Sequence, residues 1–479
     1  MTALALRSLR HRPTAVVTTF VAVSLGTALT ASFATLVESA FDTRHADDRE
    51  LLVTLGGVVG SWAALIVLFA VASTVGLVAE QRAREVALLR TIGATPRQAR
   101  ALIVIEAAIV ALVAASGGAL IATVGGAALF QAVQRAGLIT STSIYGGGAV
   151  SLGTAAGVIT LVGTIAAVIG SRRATRGPAG LALRAAEVPG RRRSRWRALV
   201  GALLVASGVA SAVVTLTITG QATEAYAAMQ SSGSASVVVG VGLATLAPGL
   251  LGRLAAPVRP LLRRGGAGHL AAENLTRRPH VLAGLLGPVI VLVSTAVGTL
   301  LMIGVDSRTL TPASDPADVG DTITLINSII VGMICLFAAI MVVNAVAAVV
   351  AGRRGEFDRL WRIGATSGQV RASLMLEAVA VAAIGIVVGL LGSTATAVPY
   401  SIVRHEGVVP NGQLWLPPLV AAVAFGLTVG ATWAAYRGTT GGAHLGATWG
   451  APRRTTSGGH REMTSGGHRR RDGGVRPAR

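Results

Sequence analysis

The stretch Glu80–Arg100, EQRAREVALLRTIGATPRQAR, is a charged island between two long apolar segments, and a second copy follows it. GRRGEFDRLWRIGATSGQVR occupies Gly352–Arg371. A constant shift of 271 residues places Arg82 on Arg353, Glu85 on Glu356 and Ile92-Gly93-Ala94-Thr95 on Ile363-Gly364-Ala365-Thr366. The same shift pairs Gln98 with Gln369, Arg100 with Arg371 and Glu106 with Glu377. So long a match at one offset marks an internal duplication.

Each island predicts a helix, a corner and a second helix. Glu80 to Ile92 is rich in helix formers, with Val86, Leu89 and Ile92 recurring at helical spacing. Gly93 ends that helix, because a helix terminus commonly needs a residue at ease with positive φ. Thr95 then serves as an N-cap, Pro96 as the first helical residue and Gln98 as the partner that closes a capping box. Thr366 and Gln369 repeat that spacing after Gly364.

The surrounding composition is that of a polytopic membrane protein. Of 479 residues, 52% are hydrophobic and 13% charged, against about 25% charged in soluble domains, and mean hydropathy is positive. All 42 basic residues are arginine, a mark of a GC-rich genome. A Walker A loop and Schiff-base catalysis both need lysine, so the chain carries neither by itself. The single cysteine, Cys335, lies in an apolar run and excludes a disulfide framework or a cysteine metal site. His280 and His405 have no ligand spacing. No catalytic residue, metal site or cofactor is expected.

Ten apolar segments read as membrane helices, near 13–36, 53–79, 101 onward, 148–170, 198–219, 234–252, 281–303, 325–350, 373–396 and 416–435. Each fits a bilayer core of about 30 Å. The first is read as a span and not a signal peptide, being long and followed at once by more spans. Placing the N-terminus inside leaves five arginines outside (Arg44, Arg49, Arg135, Arg308, Arg404) and 37 in cytoplasmic segments. By the positive-inside rule both termini and both islands are therefore cytoplasmic, and the acidic loops 37–52 and 304–324 external. Topology thus accounts for the net charge of +21 without a nucleic-acid partner, leaving an attraction to anionic membrane lipid. From Arg437 the chain is low in complexity, with TSGGHR repeated and histidines at 460 and 468, and is expected to be disordered.

The pattern E-x-R-x-x-E-x-x-L-L-R-x-I-G-A-T-x-x-Q from Glu80 to Gln98, followed by Glu106 and by Gly117-Gly118, resembles the FtsX-like (MacB-type) permease domain. Arg172-Arg173 through Pro178 to Leu183-Arg184 resembles that domain's usual ending, which is not evident after Tyr436. The resemblance implies an all-α permease subunit of an ABC transporter, without catalysis of its own, coupled to a separate ATP-binding subunit. It also implies that the helix between second and third spans docks on that ATPase. Two such helices in one chain, each rooted in a span, suit a two-fold ATPase dimer.

On this reading Arg82, Glu85, Arg90, Arg353, Glu356 and Arg362 form rim ion pairs with the partner. Val86, Leu89, Ile92, Phe357, Leu360 and Trp361 are apolar anchors, and Gly93, Thr95, Gly364 and Thr366 build the corners. The apolar residues have an alternative role, packing on the chain's own spans. Glu106 and Glu377 are read as interfacial carboxylates paired with arginine, and Gly118 and Gly389 as helix-packing residues.

The expected organisation is 1–52, a first span and acidic loop; 53–185, a first permease domain; and 186–280, a basic linker with two spans. Then come 281–324, a seventh span and acidic loop; 325–437, a second permease domain; and 438–479, the tail. External loops this short leave no room for a folded external domain. That favours extrusion of a lipid-like or amphipathic molecule. The alternatives are a mechanical transmitter acting on an external partner, and a secondary transporter, which predicts mid-membrane charges that the spans lack.

Overall fold

The computed structural model describes residues 13–175, 195–221, 227–309 and 317–449. Among them no strand forms, and ten helices are long and apolar enough to cross a membrane. The first repeat comprises α1 (Pro13–Asp42), α2 (Ala46–Thr54), a π-helical turn (Leu55–Val59), α3 (Gly60–Gln81), α4 (Ala83–Thr91), α5 (Pro96–Arg135) and α6 (Ala149–Thr175). The insertion contributes α7 (Arg195–Thr217), α8 (Ala227–Leu262) and the short α9 (Gly266–Arg277). The second repeat follows as α10 (Pro279–Thr309), α11 (Ala317–Gly352), α12 (Arg354–Arg362), α13 (Ser367–Val403) and α14 (Leu416–Trp449).

The expected spans appear with longer ends, because membrane helices here continue past their apolar windows. α14 also runs on to Trp449, beyond the Arg437 at which the disordered tail is expected to start. The remainder of that tail, with both its histidines, lies outside the described residues. So do the N-terminal arginines and most of the basic stretch after Ser171.

Each repeat is organised around its first helix. α1 packs against α5, α3 and α6, and α10 against α13, α8 and α11. α10 is buried along 94% of its apolar window, against 22% for α7, so α10 is a core helix and α7 is peripheral. The crossings are close because they are built from small residues. A Cβ at Gly389 would stand 2.6 Å from Val293 Cβ and 3.1 Å from the Ile290 carbonyl. At the equivalent Gly118 it would meet the Ser24 carbonyl and stand 2.8 Å from Thr27 Cβ. In a bilayer such approach stabilises helix pairs where the hydrophobic effect does not distinguish protein from lipid. Hydroxyls add to it across α8, α10 and α13. Thr396 Oγ1 donates to the Ser232 carbonyl at 2.6 Å, and Ser294 Oγ to the Ser236 carbonyl at 2.7 Å.

The end opposite the islands corrects the expectation of acidic external loops. Glu38 and Asp42 belong to α1, and Asp47, Asp48 and Glu50 to α2, leaving only Thr43–His45 between the helices. Several of these carboxylates face inward as staples. Asp48 accepts from the Thr140 amide at 3.0 Å, Thr140 Oγ1 at 2.6 Å and Ser143 Oγ at 2.7 Å. Glu38 accepts from the amides of Gly148 and Ser151 at 3.1 and 2.9 Å, capping the N-terminus of α6 from another helix. In the second repeat Asp306, at the end of α10, accepts from Tyr400 Oη at 2.5 Å and Arg404 Nη2 at 3.2 Å. In both repeats, then, the end of the first span is tied to the connection between the third and fourth.

Candidate functional site: the paired corner elements

Both islands fold as expected, and six spans separate them, so the two lie on the same side of the bundle. α4 ends at Thr91, Gly93 takes φ +102°, and Thr95 caps α5. The capping box is complete: the Gln98 amide donates to Thr95 Oγ1 at 3.2 Å and the Thr95 amide to Gln98 Oε1 at 2.9 Å. In the second copy Gly364 takes φ +94° and the Thr366–Gln369 box closes at 3.2 and 3.0 Å. Glycine is required at both corners, since a side chain at that φ is strained.

A single residue breaks the helix on the incoming side. Arg82 separates α3 from α4, with ψ near 2°, and Arg353 separates α11 from α12 with ψ near 3°. Both arginines are buried. Arg82 forms an ion pair with Glu106 on α5. Arg353 grips Glu377 on α13 with both terminal nitrogens, Nη2 standing 3.2 Å from Oε1. Each corner is thus bolted at its base, the bend before the short helix being joined to the span after it. The reading of Glu106 and Glu377 as arginine-paired carboxylates is the arrangement observed.

The second corner carries more bracing. Glu356 accepts from Arg353 Nε at 3.1 Å and pairs with Arg278. Asn274 Nδ2 donates to Glu377 at 2.6 Å. Burial, and the neighbouring guanidiniums of Arg353 and Arg359, push the ionisation of Arg278 down from its ordinary value. Asn274 and Arg278 were not legible as partners of the island, lying about 80 to 100 residues from it in sequence. Their one signal is the echo of NLTRRPHVLAG with the N-terminal SLRHRPTAVV.

The apolar island residues divide into two sets. Val86 is buried with Ala79, Ala99 and Ile103. Phe357 is buried against Tyr436, the rings meeting edge-on at 5.9 Å. Those two pack on the chain's own spans. Leu360 and Trp361 are half-buried against the same core as Phe357, and Leu89, Glu85 and Arg90 are also half-buried. Ile92 and Ile363, at the corner tips, are 81% and 80% exposed, and Leu88 is 51% exposed. Thr95, Thr366 and Arg362 are exposed. The surface each corner offers is therefore its tip.

Ten apolar helices, a duplicated four-span unit and two bolted corners on one side define a multi-pass membrane protein with a repeated corner element. The family model FtsX-like permease C-terminal matches residues 57–179 and 328–441, which contain both corners and both Arg–Glu pairs. The chain belongs to the FtsX-like permease family, carries two of its domains, and is a cell-membrane permease component of ABC-type systems. No curated protein matches the chain.

Proposed function

We propose that the chain couples ATP hydrolysis by a separate, dimeric ATP-binding subunit to extrusion of a lipid-like or amphipathic substrate. The observation that carries this reading is the duplicated corner with its buried arginine–glutamate bolt. Each ATPase lobe receives one corner, with Ile92 or Ile363 as the apolar tip and the half-buried Leu89, Leu360 and Trp361 behind it. Glu85, Arg90 and Arg362 supply the charged rim, which sets recognition. The islands face the cytoplasm, in keeping with the arginine distribution. When the ATPase dimer closes, a push on α4 or α12 reaches two spans at once, because Arg82–Glu106 and Arg353–Glu377 hold the bend to the following helix.

The test is co-purification of the full chain with a candidate ABC ATP-binding subunit from the same genome, comparing wild type with Ile92→Asp/Ile363→Asp. Both tips are exposed, so the variant is expected to insert and melt as wild type does. It is expected to lose at least about tenfold in ATPase capture, since an apolar anchor contributes roughly 1–2 kcal/mol at each site. Equal capture by both forms rejects the docking role.

A further inference from the structure

A cavity of about 210 Å³ opens beside the second Arg–Glu bolt, between α9, α12 and α13. A different and smaller cavity, about 30 Å³, touches the first bolt, Arg82–Glu106, from between α1, α3 and α5. Two residues that line the larger cavity, Arg359 and Ser373, differ from their counterparts in the first repeat. The 271-residue shift sets Ser373 opposite Leu102 and Arg359 opposite Leu88. Ser373 gives the lining a short polar side chain, and Arg359 adds a cation to it.

The larger cavity is amphiphilic. Leu270, Leu360, Val370 and Leu374 line it together with Arg278, Arg353 and Arg359. Arg278 and Arg353 already share the carboxylates of Glu356 and Glu377. Arg359 is exposed, and among the described residues it forms no ion pair. Three guanidiniums facing two carboxylates leave one positive charge in excess. α9 forms one wall, pressing a buried Gly268–Ala271–Ala272–Leu275 face onto the bundle, at the level where the spans α8 and α10 end and begin.

The geometry points to a binding site for a phosphate group, carried by an anionic lipid headgroup at the island-side membrane surface. The guanidiniums hold the phosphate by charge-assisted hydrogen bonds, and the leucine and valine wall takes the first part of an acyl chain. A soluble phosphate has no use for that wall, so the lipid is the favoured source. The site adjoins the proposed docking surface, sharing Leu360 and Ile363 with it, but its lipid binding is measured on the chain alone, without the ATPase.

Native mass spectrometry of the detergent-purified full chain tests it, with titration by dioleoyl phosphatidylglycerol, dioleoyl phosphatidylcholine or inorganic phosphate. Arg359→Leu/Ser373→Leu installs the residues of the first repeat, and its melting temperature is checked in parallel. Wild type is expected to retain its first phosphatidylglycerol at about tenfold lower concentration than phosphatidylcholine. The folded double variant is expected to lose that preference. Displacement of the lipid by millimolar inorganic phosphate keeps the site and assigns it to soluble phosphate compounds. A preference absent from wild type, or undiminished in the folded variant, overturns the proposal.

Discussion

Arg353 and Glu377 stand 24 residues apart on either side of a corner, buried and doubly hydrogen-bonded. Arg82 and Glu106 repeat both the spacing and the ion pair in the first half. Removing one partner from a buried pair leaves an uncompensated charge, a loss of about 3–5 kcal/mol, whereas replacing both by apolar groups is often neutral or better. Glu377→Leu is therefore expected to lower the melting temperature sharply, and Arg353→Met/Glu377→Leu to recover most of it. If the bolt transmits motion, the double variant will still bind the ATPase while stimulating its turnover less. A double variant that restores stability and stimulation alike would show the pair to be structural only.

The close crossings make a second prediction. Gly118→Val is expected to force α5 away from α1, because the new side chain meets the Ser24 backbone, which has no rotamer to yield. Overpacking of this kind costs about 1–3 kcal/mol or more. Gly153→Val on α6, where nothing lies within 4 Å, is the matched control and is expected to be neutral. Thermal melting of the two variants in the same detergent checks the contrast.

A third prediction concerns the caps. Thr366→Ala removes the side-chain acceptor of the Gln369 amide and is expected to cost about 1 kcal/mol, while Thr366→Ser is expected to be tolerated. The cap is exposed, so the loss falls on the geometry of the corner more than on the core. ATPase capture is the sensitive readout, and melting the insensitive one.

Much of this architecture is written locally. Span count follows from apolar length, and the corners from glycine, threonine and glutamine at fixed offsets, since each is decided within one or two turns. What faces inward is decided elsewhere. Val86, Leu89 and Ile92 recur every three residues and read as one stripe, yet Ile92 is the C-cap of α4 and leaves helical geometry with ψ near 10°. Its side chain is thereby turned out while Val86 is turned in. Asp48 and Asp306 read as solvated loop acids because their partners, Thr140 and Ser143 in one case and Tyr400 and Arg404 in the other, lie more than 90 residues away. Composition assigns a carboxylate to an end of the bundle, not to a partner.

The end opposite the islands supplies a pH-dependent prediction. Arg308, at the end of α10, donates from Nε and Nη2 to the two carboxylate oxygens of Glu406, each at 3.0 Å, and the Asn411 amide adds a bond at 3.1 Å. The hydrogen bond from Arg308, ahead of the opposing effect of desolvation, holds the Glu406 carboxyl below its ordinary value of 4.5. A carboxylate depressed in the folded state stabilises the fold fully above its unfolded pKa, and the contribution disappears as pH falls through the lower folded value. Wild type is therefore expected to melt higher than Glu406→Gln at pH 7, with the difference shrinking below about pH 4.5 and closing at more acid pH. The pair is partly exposed, so added salt will narrow the gap at pH 7. Melting curves of the two proteins across pH 3–7 decide the matter: a difference that stays constant into acid would mean that Glu406 acts through its shape and the Asn411 amide, not through its charge.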